Sequence, residues 1–359
     1  DWAKGPAGTG ETPWTSSGYD RLSFKTGLLA ESWEFTGLDS VIFHLRKGAR
    51  FAVNPASEAS RLVGGREVTA DDVVFSLKLV TTNPLAYIYR TGPSLRGTEI
   101  TASDKYTVRV KVKDASAMAL ALTRLGNGAH TVAPEVWQKY GEGAWKWYQH
   151  VGEGPFMVTD YVPASIGVFK KNPSWFMKDP VGPGKGNQLP YLDGIRILII
   201  PDISTQQAAF RTGKLDWIET TKETALQFLE KQPKLKMVAW PDEPYNITGP
   251  MFEKPYSDIR VRRALQLSLD YDKIINALFG GQRALPGWPI QPLDQYKAAY
   301  LPIEEAPASV QELFSYKPEK AKQLLKEAGY PNGFKTELRL QNSARNVEMA
   351  EVAIDYFSK

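Results

Sequence analysis

The residues that could carry out chemistry in this sequence are a few carboxylates. Asp71 and Asp72 are adjacent, Glu304 and Glu305 form a second pair, and Glu219 stands apart. Paired carboxylates can act as general acid and base. Acids in the first turn of a helix are also favoured by the helix dipole, and Asp71 and Asp72 occupy such a position. We therefore expect structural roles for these carboxylates.

The sequence lacks the residue patterns of common metal sites and of common nucleophilic catalysts. The three histidines, His44, His130 and His150, have none of the spacings of zinc-binding motifs. The absence of cysteine excludes disulfides, thiolate metal sites and thiol nucleophiles. The sequence also contains no GxGxxG, P-loop or GxSxG motif. These observations predict a protein that is not an enzyme and that holds no cofactor or metal.

Length and charge limit the remaining classes. The chain has 359 residues, of which 42% are hydrophobic and 23% charged, so we expect two or three folded lobes. The net charge of +4 arises from scattered basic residues, which does not indicate nucleic-acid binding. No apolar run reaches the roughly 20 residues that a membrane-spanning helix needs.

The elements that must position any site begin near Leu28, after a Gly- and Pro-rich opening. Alternating apolar residues predict strands over 41–46 and 106–113. Between them, Thr69 and Asp72 have the spacing of a capping box, which predicts a helix that ends at Asn83 before a proline. This mixture of strands and helices indicates an α/β fold.

Later segments are predicted by similar signals. An apolar strand at 194–200 is followed by a helix capped by Ser204 and Gln207, and a further strand is expected at 216–218. The remaining predictions are helices at 258–269, 270–279, 318–328 and 347–357, and a strand at 335–340.

Several blocks, in their order along the chain, resemble the family 5 extracellular solute-binding proteins. The resemblance covers nearly everything after Gly27, and the blocks lie at 29–34, 43–51, 68–76, 151–156, 171–175, 190–195, 210–216, 257–270 and 318–329. Most of them consist of caps, turns and glycines that specify a fold and not a ligand.

The resemblance implies a periplasmic-binding-protein-like α/β fold of type II, cluster C, with two lobes and an extra domain. The implied domains are a leader or partial first-lobe segment at 1–25, an extra domain at 26–150, a ligand-cleft domain at 151–245 and a third domain at 246–359. Compared with the family, the chain looks like a fragment that lacks the extreme N-terminal strand and the C-terminal part.

The function implied by the resemblance is the capture of a peptide-like or other small polar solute for an ABC importer. Such a protein is periplasmic or extracellular, associated with the cell envelope as a lipoprotein or a free protein, and its partners are the solute or oligopeptide and the membrane permease subunits. The alternative is a binding-protein fold reused as a structural or surface-complex subunit.

The candidate ligand contacts are aromatic and neutral hydrogen-bonding residues, which can hold backbone amides or sugars. By their positions within the resemblance they are Tyr87, Tyr89, Gln149, His150, Tyr245 and Thr248. Peptide-binding members have a tyrosine soon after the proline that ends this helix; here Pro84 is followed by Leu85, and Tyr87 and Tyr89 come next. The family's Asn before a Pro-aromatic pair is replaced around Pro250 and Met251. These departures weaken the prediction of ordinary peptide binding.

Overall fold

The computed structural model describes residues 2–6, 8–11, 22–238, 251–279, 300–340 and 344–359. The chain divides into two compact units, Asp1–Trp240 and Pro241–Lys359. The first unit contains the described β-sheets, and the second is built mainly of helices.

The first sheet of the first unit is antiparallel, with strand order β1-β2-β4-β3. Its strands are β1 (Ala30–Gly37), β2 (Ser40–Leu45), β3 (Glu99–Asp104) and β4 (Thr107–Lys111). Val41 of β2 pairs with Val110 of β4, and both side chains are buried. The strands predicted over 41–46 and 106–113 are therefore confirmed, because alternate apolar residues face one core.

The helices of this part of the chain pack in two core clusters, one of which includes the sheet. They are α1 (Glu58–Val63), α2 (Ala70–Thr82), α3 (Tyr87–Thr91), α4 (Met118–Gly128) and α5 (Pro134–Tyr140). The capping box predicted at the start of α2 is present: the Thr69 backbone N–H donates to Asp72 Oδ2 at 2.8 Å. α2 ends before Asn83 and Pro84, as the sequence predicts.

A second antiparallel sheet, of order β5-β6-β7, follows within the same unit. It contains β5 (Phe156–Val162), β6 (Ile166–Lys171) and β7 (Gly194–Leu198), and the helices α6 (Ile203–Arg211) and α7 (Lys222–Lys231) come after it. The prediction that Ser204 caps α6 is wrong, because Asp202 lies one residue before the helix and accepts from the Thr205 N–H at 2.7 Å. The strand predicted at 216–218 is not formed.

The second unit contains α8 (Ile259–Leu267), α9 (Tyr271–Phe279), α10 (Ala308–Gln311), α11 (Pro318–Glu327) and α12 (Ala344–Phe357). Ala264 and Leu267 of α8 pack against Ala321 of α11, and all three side chains are buried. The predicted helices at 258–269, 270–279, 318–328 and 347–357 are confirmed. Residues 335–340 form no strand, contrary to the prediction.

Candidate functional site

Tyr87 and Tyr89 lie on α3, a short helix that follows the end of α2. The residue between them, Ile88, is 4% exposed and is anchored in the main core of the first unit. Tyr87 is 65% exposed, whereas Tyr89 is half-buried. Because successive helical residues are about 100° apart, the two tyrosines project to different sides of the anchored Ile88.

Tyr87 makes its contacts with a residue of α4. The Arg124 guanidinium lies 5.4 Å from the centre of the Tyr87 ring, and Arg124 Nη1 donates to the Tyr87 hydroxyl at 3.3 Å. The hydrogen bond and the positive charge of Arg124 lower the pKa of the Tyr87 phenol. The pair is a cation–π stack at a surface that is partly open to solvent.

Tyr89 is stacked with a different arginine. The Arg96 guanidinium lies 4.2 Å from the centre of the Tyr89 ring. Arg96 Nε and Nη2 both donate to the Tyr89 carbonyl oxygen, at 3.1 Å and 2.9 Å. This arginine therefore ties the loop after α3 back onto the helix.

Gln149 and His150 lie just before the segment that crosses from the first sheet to the second. The Ser57 hydroxyl donates to the Tyr148 carbonyl at 2.8 Å, and the Ala52 N–H donates to the Gly152 carbonyl at 2.8 Å. These two bonds fix the segment on both sides of the predicted contacts. The Gln149 side-chain oxygen is buried without a hydrogen-bond partner among the described residues, which makes it an unsatisfied buried acceptor in this structure.

The electrostatics of this segment favour neutral groups. Crowding around the imidazole and the neighbouring His130 lower the pKa of His150, although part of that residue reaches solvent. Burial raises the pKa of the Glu153 carboxyl, and a hydrogen bond from the Thr131 side chain opposes the rise. The crossing therefore carries, three residues apart, an imidazole and a carboxyl whose charged forms are both disfavoured.

An ion-pair cluster holds α5, which lies between α4 and this crossing in the chain. Arg66 donates to Asp72 from Nη1 and Nη2, at 2.9 Å and 2.7 Å, and to Glu135 from Nε and Nη2, both at 2.7 Å. Its guanidinium also lies 5.1 Å from the centre of the buried Phe51 ring. These partners raise the pKa of Arg66 and lower that of Glu135. The cluster joins the start of α2 to α5.

The predicted contacts fall into two groups in the described structure. Tyr87 and Tyr89 share α3, and Gln149 and His150 share the crossing segment. Among the described residues, no hydrogen bond, ion pair or ring contact links one group to the other. Tyr245 and Thr248, the other two predicted contacts, lie outside the described residues.

Sequence reasoning did not identify Arg96 and Arg124, the partners of the two tyrosines. A signal was present: residues 73–98 and 115–134 contain no aspartate or glutamate, although they contain three arginines, a lysine and a histidine. Such a local excess of cations attracts anions, but nothing in the spacing pairs a given arginine with a given tyrosine.

The described part of the chain lacks two further features. No group of three or more histidine, aspartate or glutamate residues there is arranged to hold a metal ion. In the same residues, no helix has both the length and the apolar character needed to cross a membrane.

The sequence matches a known family along most of its length. The model of "Bacterial extracellular solute-binding proteins, family 5 Middle" matches residues 26–359. The chain belongs to the family 5 extracellular solute-binding proteins. This match confirms the family assignment that the blocks of residues predicted.

Relatives of this family 5 chain bind different solutes. Heme-binding protein A of Haemophilus influenzae is 30% identical over 90% of this chain, and glutathione-binding protein GsiB of Pectobacterium atrosepticum is 27% identical over 66% of it. These alignments cover 58% and 42% of the relatives, so the chain spans about half the length of the relatives it matches.

Solved structures share the fold of this chain. The periplasmic binding protein DppA of Helicobacter pylori, in complex with the peptide STSA, has a TM-score of 0.65 and is 22% identical, over 93% of this chain and 63% of DppA. The predicted periplasmic-binding-protein-like α/β fold is thereby confirmed.

Proposed function

We propose that this chain is part of the extracytoplasmic solute-binding component of an ABC importer, and that it captures a peptide-like or other small polar solute. The protein works in the periplasm or at the outer surface of the cell envelope. It holds the solute non-covalently and delivers it to membrane permease subunits. No bond in the solute is made or broken.

The observation that carries the proposal is the family match over residues 26–359. The names of the relatives support a solute that is small and polar in part, since they specify haem and glutathione, and the DppA structure holds a peptide. The first unit supports the same function with exposed aromatic surface at Tyr87 and an unpartnered acceptor on Gln149.

The predicted domains are part of this proposal. The four-stranded sheet, which spans Ala30 to Lys111, falls within the proposed extra domain at 26–150, and the three-stranded sheet falls within the proposed cleft domain at 151–245. The Gly152 region joins them. Solute capture would then close these parts by a hinge motion, as in other binding proteins of this kind.

The test is ligand-dependent thermal stabilisation of the protein as its gene encodes it. The panel contains the tetrapeptide STSA, glutathione, haem and neutral oligosaccharides. A ligand present at 100 times its Kd stabilises by about 2.7 kcal/mol, which corresponds to a rise in Tm of roughly 5–10 °C for a domain of 150–250 residues.

The control is the same panel with a variant in which Gln149 and Tyr87 are both replaced by alanine. We expect the variant to unfold near the wild-type Tm without solute, and to gain less from the solute that stabilises the wild type. If no member of the panel shifts the wild-type Tm while a protein partner copurifies stably, the chain is a structural subunit and the proposal fails.

A further inference from the structure

The chain segments that form the end of α2, α3 and α4 carry basic residues and no acidic ones. Residues 73–98 and 115–134 contain neither aspartate nor glutamate. Their basic residues are Lys78, Arg90, Arg96, Arg124 and His130. A region of one sign of charge raises the local concentration of oppositely charged ligands, so these segments favour an anion.

Arg124 on α4 uses few of its donors and is held beside a tyrosine. In the described part of the chain it makes one side-chain hydrogen bond, to the Tyr87 hydroxyl, and it has no carboxylate within ion-pair distance. A guanidinium has five N–H donors in a planar fork, so most of them remain unused. Its neighbours on α4, Ala121 and Leu125, are buried and fix the helix beneath it.

The stacked tyrosine Tyr87 restricts the orientation of the Arg124 side chain. Tyr87 is 65% exposed, and its ring lies against the Arg124 guanidinium and limits the rotamers of that long side chain. The Tyr87 hydroxyl accepts from Arg124, so its own proton is available for donation. Two donors of different kinds are thus held next to each other at an open surface.

We propose that Arg124 and Tyr87 bind a carboxylate group of the captured solute. The guanidinium donates two parallel hydrogen bonds to the carboxylate oxygens, and the Tyr87 hydroxyl donates a third. Charge-assisted bidentate pairs of this kind are among the strongest hydrogen bonds in proteins. This inference rests on the proposed function and names the solute class: acids such as haem, glutathione and free peptides, each of which carries a carboxylate.

Arg96 provides a matched control within the same segments. Like Arg124, it is an arginine stacked on a tyrosine of α3, at 4.2 Å from the Tyr89 ring centre. Its Nε and Nη2 are already directed at the Tyr89 carbonyl. Replacing Arg96 or Arg124 by glutamine removes the same charge, but only the second replacement removes the proposed carboxylate site.

The experiment measures solute affinity by titration calorimetry on the full-length protein. The forms compared are the wild type, Arg124→Gln, Arg124→Lys and Arg96→Gln. The probes are the tetrapeptide STSA and the same peptide with a C-terminal amide, followed by glutathione and haem. Loss of a charge-assisted pair predicts a fall in affinity for the acids of about 10- to 100-fold in Arg124→Gln. Arg124→Lys should lose less, because it retains the charge without the fork.

The comparison of acid with amide separates this site from general electrostatics. We expect the wild type and Arg96→Gln to prefer the STSA acid, and Arg124→Gln to bind the acid and the amide alike. Equal losses in Arg96→Gln and Arg124→Gln, or unchanged affinity in Arg124→Gln, would overturn the carboxylate site and leave the proposed function intact. A wild-type protein that binds only neutral oligosaccharides would likewise overturn the carboxylate site and leave the proposed function intact. A wild-type protein that binds no solute would contradict both proposals.

Discussion

Replacing Asp72 by asparagine should destabilise the first unit much more than the same change at Asp71. Asp72 is 2% exposed and its carboxylate accepts from Arg66 at 2.9 Å and 2.7 Å and from the Thr69 N–H at 2.8 Å. Asp71 precedes it in the same helical turn, is exposed, and has no comparable contacts among the described residues. The two variants therefore share the helix dipole and differ in burial and partners.

The expected magnitude follows from these contacts. Loss of an N-cap interaction costs about 1 kcal/mol, and each hydrogen bond to a charged group contributes about 1.5–3 kcal/mol. Arg66 keeps its bonds to Glu135, and its side chain is 37% exposed, so solvent and the second carboxylate offset part of the loss. We expect Asp72→Asn to lower the free energy of unfolding by about 2–4 kcal/mol, and Asp71→Asn to change it by less than about 0.5 kcal/mol.

The assay is urea unfolding followed by circular dichroism, with thermal unfolding as a second measurement. For a domain of 150–250 residues, 2–4 kcal/mol corresponds to a fall in Tm of roughly 5–15 °C. Equal effects of Asp71→Asn and Asp72→Asn would refute the reasoning, because the dipole alone would then account for the acids in this turn. A double variant with Arg66→Met should show non-additive losses, since the two residues share one cluster.

Three further predictions concern other parts of the molecule. Burial raises the pKa of Glu153 and so disfavours its ionisation in the folded state. Glu153→Gln should therefore stabilise the protein by an amount that vanishes in acid and grows as the pH rises above the pKa of the unfolded carboxyl. A difference in urea midpoint between the two proteins that stays constant across a pH series would contradict this. The pKa of Glu67 is lowered to about 2, chiefly by Lys105, so the wild type should lose its advantage over Glu67→Gln as the pH falls from about 4.5 to 2 in the same series. Leu267→Ala leaves a cavity at a fully buried position of the second unit and should lower the free energy of unfolding in urea by about 2–5 kcal/mol. Leu226→Ala, at a side chain of α7 that is 49% exposed, should lower it far less.

Much of the fold could be predicted because its signals are local. Asp258 caps α8 and Pro318 opens α11, and both signals depend on residues within one turn of the helix end. The error at Ser204 has a local cause too: both Asp202 and Ser204 can cap a helix, and in the folded chain Asp202 takes the N-cap position and accepts from the Thr205 N–H. The strand predicted at 216–218 covered three residues only, and Trp217 is 67% exposed and pairs with no strand.

The candidate site was less predictable because its contacts join distant segments. Arg124 is 37 residues from Tyr87 in the chain, and the link requires α4 to lie beside α3. Arg66 and Glu135 are 69 residues apart and meet only when α5 packs near the start of α2. The amino-acid composition shows the excess of arginine in these segments, but only the geometry shows that Arg124 lies beside Tyr87 with donors to spare.

The spacing of the two tyrosines limits what a single solute can contact. Ile88 is anchored in the core between them, so Tyr87 and Tyr89 point to different sides of α3 and each stacks with its own arginine. A group as small as a carboxylate meets one of these pairs and not both. Arg96 has two of its donors directed at a backbone carbonyl, and its tyrosine is half-buried, whereas Arg124 and Tyr87 combine unused donors with exposure. The anion is therefore expected on the Tyr87 side, and Tyr89 acts as part of the scaffold that holds α3 in place.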